Sequence, residues 1–189
     1  MNDVVLHPNQ AEIISILRNG TIRIWDLAEN KIRKTLGGGG KISSLQTASI
    51  MGDGSLLVAA DKSGMIHVWD AAHDYKYVHN FQAHKGYILK ILFSPDLTYL
   101  ATTSSDTTVK LWSTKDLKFK CVQTLASHRK WVWDCSFSAD SSYLLTSSSD
   151  CSAKLWELQR GIVIRQFTQH HKAVVAVALN DTDKVGGTS

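Results

Sequence analysis

One segment that ends in tryptophan, Val109-Lys110-Leu111-Trp112-Ser113, has three close counterparts along the chain of 189 residues. The counterparts are Ile22-Arg23-Ile24-Trp25-Asp26, Ile66-His67-Val68-Trp69-Asp70 and Ala153-Lys154-Leu155-Trp156-Glu157. Their tryptophans are separated by 44, 43 and 44 residues. An apolar residue closes an earlier run 19 residues before each tryptophan; these residues are Leu6, Ile50, Phe93 and Phe137. Because this interval is constant and the length varies only after the tryptophan, the sequence contains a repeated structural unit.

The apolar runs inside each unit are short. They are rich in β-branched and aromatic residues and are bounded by Gly, Asp, Asn and Ser, which is typical of strands joined by turns. The third unit is predicted to hold strands at 87–93, 98–103, 108–112 and 119–125, and the fourth at 131–137, 142–147, 152–156 and 162–167. Four antiparallel strands in a unit of about 40 to 45 residues, ending in Trp-Asp or a variant of it, predict a blade of a WD40-type β-propeller.

The predicted architecture is an incomplete all-β propeller. We expect residues 1–189 to form one partial propeller, with blades at 3–36, 41–81, 83–125 and 127–168 and an orphan inner strand at 171–180. A closed ring of seven blades would need roughly 300 residues. The chain is therefore expected to form about four blades, with Gly37–Gly40 as a linker. Two explanations stay open: the chain is a C-terminal portion of a longer protein, or two copies complete each other. The first is favoured, because an open ring would expose strand edges and apolar surface, and the isolated chain is expected to aggregate or self-associate.

A second series of polar residues recurs with the blades. It consists of His84, Ser104, Asp106 and Trp112 in the third unit and His128, Ser148, Asp150 and Trp156 in the fourth. One interpretation is a nucleophilic triad, but a catalytic serine needs an exposed site and an oxyanion hole, which would not recur in every blade. We predict a buried structural network in which Asp accepts from His, His from the Ser hydroxyl, and Ser from the Trp indole. The first two units have Asn19 and Ser63 in place of the Asp, and packing is expected to fix their register.

Composition and charge favour a soluble intracellular protein, which we expect in the cytoplasm or held at the periphery of endomembranes through a complex. The net charge of +4 comes from dispersed basic residues, which do not form the cluster expected of a nucleic-acid site. The cysteines Cys121, Cys135 and Cys151 are odd in number and lack C-x-x-C spacing, so neither a disulfide framework nor a zinc site is predicted. No apolar run approaches the roughly 20 residues of a membrane helix. We therefore expect no cofactor, no metal, no nucleic-acid partner and no membrane insertion.

Two tryptophans fall outside the 43-residue period and are candidates for partner binding. Trp131 and Trp133 lie at the start of a predicted inner strand, and Tyr87 occupies the Trp131 position in the preceding unit. Aromatic side chains on a rigid rim are common anchors of protein interfaces, because they bury much area at little entropy cost. The alternative for Trp133 is that it packs between blades. Lys85, Arg129 and Lys172 follow the three histidines; they could add a polar rim, but simple solvation of these side chains is the favoured interpretation.

Several motifs in this sequence resemble one WD-repeat family. The most specific are Leu6-His7-Pro8-Asn9-Gln10-Ala11-Glu12, Trp131-Val132-Trp133 and His171-Lys172-Ala173-Val174-Val175. They resemble the last four blades of the small WD-repeat subunits of the TOR kinase complexes, the G-protein-β-subunit-like proteins. The resemblance implies a non-catalytic scaffold that binds and stabilises the TOR kinase domain, alongside other TOR-complex subunits. It also implies that the kinase contact uses the face that carries Trp131, Trp133 and Tyr87.

Three other functions stay open. WD proteins also serve as substrate receptors of cullin-type ubiquitin ligases, which typically carry an Arg shortly after Trp-Asp. This sequence has Leu27-Ala28 and Ala71-Ala72 at those positions, which argues against a receptor. A generic interaction platform is a second alternative. The third is an RNA-associated propeller, which rests only on the sequence pI of about 8.9.

Overall fold

The computed structural model describes residues 2–37 and 42–180, and these residues form sixteen strands and no helix. The strands are β1 Asp3–Leu6, β2 Glu12–Ile16, β3 Thr21–Asp26, β4 Lys31–Gly37, β5 Leu45–Ile50, β6 Leu56–Asp61, β7 Met65–Asp70, β8 Lys76–Gln82, β9 Ile88–Phe93, β10 Tyr99–Ser104, β11 Val109–Ser113, β12 Cys121–Leu125, β13 Val132–Phe137, β14 Tyr143–Ser148, β15 Ala153–Glu157 and β16 Ile162–Phe167. Of the predicted glycine linker, 38–40 lie outside the described residues, as does Lys41 at the start of the second predicted blade.

The strands make four antiparallel sheets of four, each in chain order: β1–β4, β5–β8, β9–β12 and β13–β16. The predicted all-β blade architecture is confirmed, and the strands predicted in the third and fourth units begin and end within two residues of those observed. In every sheet the repeat tryptophan belongs to the third strand. The described residues contain no helix of the length and hydrophobicity that a bilayer crossing requires.

The sheets stack through their first strands, because β1 contacts β5, β5 contacts β9 and β9 contacts β13. A hydrophobic cluster fills each of the three gaps between neighbouring sheets. The repeat tryptophan contributes to the cluster that faces the preceding sheet: Trp69 packs on the first sheet, Trp112 on the second and Trp156 on the third. Trp25 is only half-buried, since no described sheet precedes its own. Trp69, Trp112 and Trp156 therefore lie at the contacts between neighbouring blades.

The turn between the second and third strands has the same backbone shape in all four sheets. The residue five positions before the tryptophan has a positive φ in each, at Gly20, Gly64, Thr107 and Cys151. Gly64 has φ +83°, and an added Cβ would stand 2.2 Å from the His84 carbonyl oxygen of the next sheet. Glycine is required there by both the left-handed backbone and the close approach of the neighbouring chain.

Residues 171–180, for which the sequence predicts an orphan inner strand, carry no strand in the structure. The Val174 N–H donates to the Ser148 carbonyl (3.1 Å) and the Val177 N–H to the Asp134 carboxylate (3.1 Å). In the first sheet Asp3 accepts in the same way from the Ala48 N–H of β5 (3.1 Å). The segment therefore lies where a further innermost strand would lie, but a strand also needs a hydrogen-bonded ladder, and no described residues supply one.

Candidate protein-binding site on the upper face

All four sheets bring the turn between their second and third strands to one edge, and the second, third and fourth sheets bring the loop before their first strand to the same edge. We call this edge the upper face; it comprises residues 43–44, 83–87 and 126–131 and the turns 17–20, 62–64, 105–108 and 149–152. One backbone hydrogen bond of 2.9 Å joins loop and turn in three sheets: Lys62 to Ser44, Ser105 to Tyr87 and Ser149 to Trp131, with the first residue of each pair donating its N–H. The upper face is thus a repeated and rigid surface.

A buried polar network lies directly below the upper face in the third sheet. His84 Nδ1 lies 2.9 Å from the Asp106 carboxylate, and its Nε2 lies 2.7 Å from Thr102 Oγ1. The Trp112 indole N–H donates to the same hydroxyl at 3.0 Å. These partners assign the ring proton to Nδ1, so that His84 donates to Asp106 and accepts from Thr102. Four side chains from the loop, the turn and two strands are therefore joined.

The fourth sheet repeats this network. His128 Nδ1 lies 2.9 Å from Asp150 and its Nε2 lies 2.8 Å from Thr146 Oγ1, while the Trp156 indole donates to Thr146 at 2.9 Å. Asp150 also accepts from the Arg129 N–H (3.0 Å), which fixes the loop that leads to β13. The network therefore holds the backbone from which Trp131 projects.

The predicted hydroxyl partners were wrong by two residues in both sheets. Ser104 Oγ accepts from the Asp106 N–H (3.0 Å), and Ser148 Oγ accepts from the Asp150 N–H (3.1 Å). Both serines therefore stabilise the turn and do not reach the indole. The register explains this: Leu100 faces Trp112 across the strands, so Thr102 is the diagonal neighbour on the same side of the sheet, while Ser104 is another two residues, roughly 7 Å, further along. The signal was available, since Ser15, Thr102 and Thr146 each lie ten residues before a repeat tryptophan.

The two networks shift the pKa values of Asp106, Asp150 and His128. Burial would raise the pKa of Asp106, but hydrogen bonds from His84 and Thr108 outweigh it and hold that pKa well below its usual range. Asp150 is lowered in the same way: burial opposes the shift, and hydrogen bonds from Ser152, the Arg129 backbone and His128 prevail. Burial lowers the pKa of His128, although Asp150 opposes the shift. Ionised Asp106 and Asp150 and a neutral His128 imidazole are therefore the stable forms near pH 7.

The first and second sheets use other polar contacts, which corrects the expectation that packing alone fixes their register. In the first sheet the Trp25 indole donates to Ser15 Oγ at 2.9 Å. In the second sheet the buried Asp61 accepts from Ser43 (2.7 Å) and Ser63 (2.6 Å) and lies 3.4 Å from His67 Nε2. Sequence reasoning missed this carboxylate because it lies eight residues before the tryptophan, at the position of Ser104 and Ser148.

The three aromatic candidates form one cluster on the upper face. The ring centroids of Tyr87 and Trp131 are 6.4 Å apart in an edge-to-face arrangement, and those of Trp131 and Trp133 are 5.6 Å apart. Tyr87 is 49% and Trp131 43% exposed. Trp133 is half-buried, and its indole donates to Ser149 Oγ at 2.6 Å. We call Tyr87, Trp131 and Trp133 the aromatic cluster; it bridges the third and fourth sheets.

Exposed cations lie in the loops that carry the aromatic cluster and in the segment after the fourth sheet. Lys85, Arg129 and Lys130 belong to these loops, and Lys172 belongs to the segment. The carboxylates below them, Asp106 and Asp150, are already hydrogen-bonded within the network. No three His, Cys, Asp or Glu side chains are grouped to hold a metal ion within the described parts of the chain. The arrangement suits a protein partner that buries aromatic rings and carries acceptors at its rim.

The repeated blades, the tryptophan contacts between them and the buried His–Asp networks define a WD-repeat protein. A family profile described as "WD domain, G-beta repeat" matches residues 30–70, 75–113 and 119–157, and the chain belongs to this family. Each matched stretch begins at or just before the fourth strand of one sheet and ends with the third strand of the next. One sequence repeat therefore spans parts of two neighbouring blades, namely the fourth strand of one and the first three strands of the next.

The similarity to particular proteins extends over nearly the whole chain. It is 50% identical over 186 residues to the target of rapamycin complex subunit wat1 of Schizosaccharomyces pombe, which covers 96% of this chain and 59% of wat1. The target of rapamycin complex subunit LST8 of Saccharomyces cerevisiae is 49% identical over 187 residues, covering 96% of this chain and 61% of that protein. LST8 of Mus musculus is 40% identical over 195 residues, with 96% and 59% covered. The chain is thus homologous to these subunits and spans about three fifths of their length.

Proposed function

We propose that this chain is a non-catalytic scaffold of a target of rapamycin complex, and that it binds and stabilises the TOR kinase domain through its upper face. The observation that carries the proposal is the identity of about half of all residues to two subunits of such complexes along 96% of the chain. A scaffold acts by presenting a rigid surface, which the stacked sheets provide. We further propose that it works in the cytoplasm.

The aromatic cluster is the part of the upper face best suited to this role. Trp131 and Tyr87 present exposed rings, while Trp133 and its bond to Ser149 hold Trp131 from one side. Preorganised aromatic rings lose little entropy on binding, and a few such residues supply most of the affinity of an interface. The exposed Lys and Arg side chains of these loops would add steering and hydrogen bonds at the rim.

Binding of the isolated kinase domain to the full chain tests this proposal. We expect Trp131→Ala to weaken the complex at least tenfold, because truncation of a hot-spot aromatic costs about 2 kcal/mol or more. Tyr143→Ala is the matched control, since Tyr143 is also an exposed aromatic of the fourth sheet but begins β14 at the opposite edge. Equal melting temperatures would show that both variants fold. Unchanged binding by Trp131→Ala and Tyr87→Ala, or an equal loss with Tyr143→Ala, would reject the site.

Self-association is a second property that we propose for the chain. The outward sides of the first and fourth sheets expose aliphatic side chains, including Leu6 and Ile164. Because sheets one to four already stack on each other through such sides, two of these surfaces from different copies have the chemistry to pack together.

A further inference from the structure

A pocket of about 380 Å³ opens at the upper face, between the loop that leads into the fourth sheet and the strands β15 and β16. Ser127 and Arg129 contribute to it from the loop, and Arg129 lies two residues before Trp131 of the aromatic cluster. We call this site the polar pocket, because most of its lining can form hydrogen bonds: Ser127, Arg129, Ser152, Lys154, Gln166 and Thr168.

The polar pocket lies on the side of the fourth sheet that faces the third sheet. Lys154 lies two residues before Trp156 on β15, so both side chains are on the same side of the sheet, and Trp156 packs on the third sheet. Gln166 pairs with Lys154 across β15 and β16 and is therefore on that side as well. The pocket is thus formed between two sheets whose strands are all described.

One cation of the polar pocket is buried. Lys154 is only 5% exposed, and its Nζ donates to the Ser127 carbonyl at 2.6 Å and to Ser127 Oγ at 2.7 Å. An ammonium group has three N–H donors, and the described residues supply acceptors for two of them. Burial lowers the pKa of Lys154, Asp150 opposes this shift, and the charge of Arg129 adds to it. An anion between the two cations would offset their repulsion.

Further donors of the polar pocket are unused within the described parts of the chain. The side chains of Arg129, Gln166 and Thr168 are exposed and make no hydrogen bond or ion pair there. Ser127 Oγ accepts from Lys154 and keeps its own proton for a ligand. These groups offer more donors than the two oxygens of a carboxylate accept well, whereas the three terminal oxygens of a phosphate monoester match them.

The polar pocket contains one carboxylate, Asp150, whose oxygens already accept hydrogen bonds. One oxygen accepts from the Ser152 N–H (3.1 Å) and hydroxyl (2.6 Å), and the other from His128 (2.9 Å) and the Arg129 N–H (3.0 Å). These donors stabilise its negative charge. Because Arg129 and Lys154 are both cations, positive charge outweighs negative charge in the lining.

The third sheet provides an internal comparison. Lys110 holds the place of the buried lysine there and donates to the Ala83 carbonyl at 2.7 Å. The bond between lysine and loop therefore forms in both sheets. Ala83 and Ala126, however, stand where the fourth sheet has Ser127 and Thr168. Since the third sheet joins its loop without these two hydroxyl groups, they are available for a ligand in the fourth.

We propose that the polar pocket binds a phosphoryl group on a serine or threonine side chain of the protein that docks on the upper face. The proposal rests on the proposed function for its partner, the TOR kinase domain. Arg129, Lys154 and Thr168 donate to the phosphoryl oxygens, while the aromatic cluster contacts the partner beside the modified residue. Phosphorylation of the partner then strengthens the complex through charge-assisted hydrogen bonds.

Titration of the full chain with N-acetyl-O-phosphoserine amide, followed by NMR, tests the polar pocket. We expect saturable shifts of the Arg129, Ser152 and Thr168 backbone amides, and binding about tenfold or more weaker in Arg129→Gln, which keeps the backbone N–H that bonds to Asp150. Lys130→Gln is the matched control, because Lys130 is an exposed cation of the same loop outside the pocket. No saturable shift, or an equal loss in both variants, would overturn the proposal.

Phosphatase treatment of the isolated kinase domain tests the source of the phosphoryl group. We expect the treated domain to bind the parent chain about fivefold or more weakly, and Arg129→Gln to bind both forms equally. Binding that is lost in Trp131→Ala but insensitive to phosphatase would reject the phosphoryl contact and leave the proposed function standing. Binding of the phosphoserine amide by a chain that ignores both forms of the kinase domain would reject the proposed function and leave the pocket.

Two further ligands distinguish a protein from other carriers of phosphate. Inorganic phosphate and phosphatidylcholine vesicles that contain a phosphoinositide are titrated in the same way as the phosphoserine amide. Shifts of the pocket amides with either of these, but not with the phosphoserine amide, would show that a free ion or a lipid headgroup is the ligand and would overturn the assignment to a protein.

Discussion

The hydroxyl groups of Thr102 and Thr146 each contact a tryptophan and a histidine that lie far apart in the sequence. Each accepts from a tryptophan indole that packs on the preceding sheet and donates to a histidine that anchors the loop of the upper face. A buried hydroxyl with both partners in place is stabilising, and its loss would leave two ring nitrogens unpaired. The networks thus connect sheet stacking to the position of the aromatic cluster.

Adjacent threonines of β10 allow this role to be measured. We expect Thr102→Val to lower the free energy of unfolding by about 1–3 kcal/mol, because His84 and Trp112 lose a buried partner. Thr103→Val should leave stability unchanged or raise it, since the buried Thr103 hydroxyl has no hydrogen-bond partner among the described residues. Both substitutions keep the shape of the side chain. Urea denaturation provides the comparison, and equal losses in the two variants would contradict the network.

The histidine of the fourth sheet should make stability depend on pH. The pKa of His128 is lowered in the folded state, so below about pH 6.5 the unfolded chain takes up a proton that the folded chain excludes. The free energy of unfolding therefore falls as the pH drops from 7 to 5, by up to about 1.4 kcal/mol per pH unit from this residue. Asp150 contributes at lower pH. Its depressed pKa stabilises the folded state, and this stability is lost only below about pH 4.

His128→Gln isolates this contribution. We expect the pH profile between 5 and 7 to be flatter in this variant than in the parent, whatever its stability at pH 7. His73→Gln serves as the control for the loss of a surface histidine, since the His73 side chain is 79% exposed. Parallel profiles for the parent and His128→Gln would show that His128 is protonated equally in both states.

At the scale of strands and sheets, the sequence predicted the features that depend on local residue patterns, above all the positions of the strands. The constant interval before each tryptophan located the strands of the third and fourth units within two residues, because turn residues and alternating apolar positions are set locally. The pairing of loop His with turn Asp was also predicted, since the two recur together. The sequence did not show whether Thr102 or Ser104 accepts from the Trp112 indole, because that depends on the cross-strand register.

Hydrogen bonds from the fourth strand of one sheet to the next sheet illustrate the other limit of sequence reasoning. Lys34, His79 and Gln123 each pair with the residue before a repeat tryptophan and make such a bond. They share a position but not a residue type, and their acceptors are backbone carbonyls, which leave no mark in a sequence. The same holds for 171–180, whose apolar pattern is that of a strand although no ladder forms. Interactions that need a partner element can be recognised only when that element is in place.

At the scale of the molecule, a stack of sheets is stabilised mainly by contacts between neighbours. The second and third sheets have a neighbour on both sides, and all six residues of β6 are buried. The first and fourth sheets have one described neighbour each, and β16 has no buried residue. In a repeat architecture stability is roughly a sum of unit and interface contributions, so the end units are the first to open.

Native-state hydrogen exchange should reveal this gradient. In dilute solution we expect the backbone amides of β6 and β10 to exchange about tenfold or more slowly than those of β2 and β14, because each of the latter sheets lacks one interface. The comparison is matched, since all four are second strands with a hydrogen-bonded strand on either side. At concentrations at which two copies associate, β2 and β14 should gain protection while β6 and β10 change little. Uniform protection of all four strands in dilute solution would instead mean that the stack unfolds as one cooperative unit.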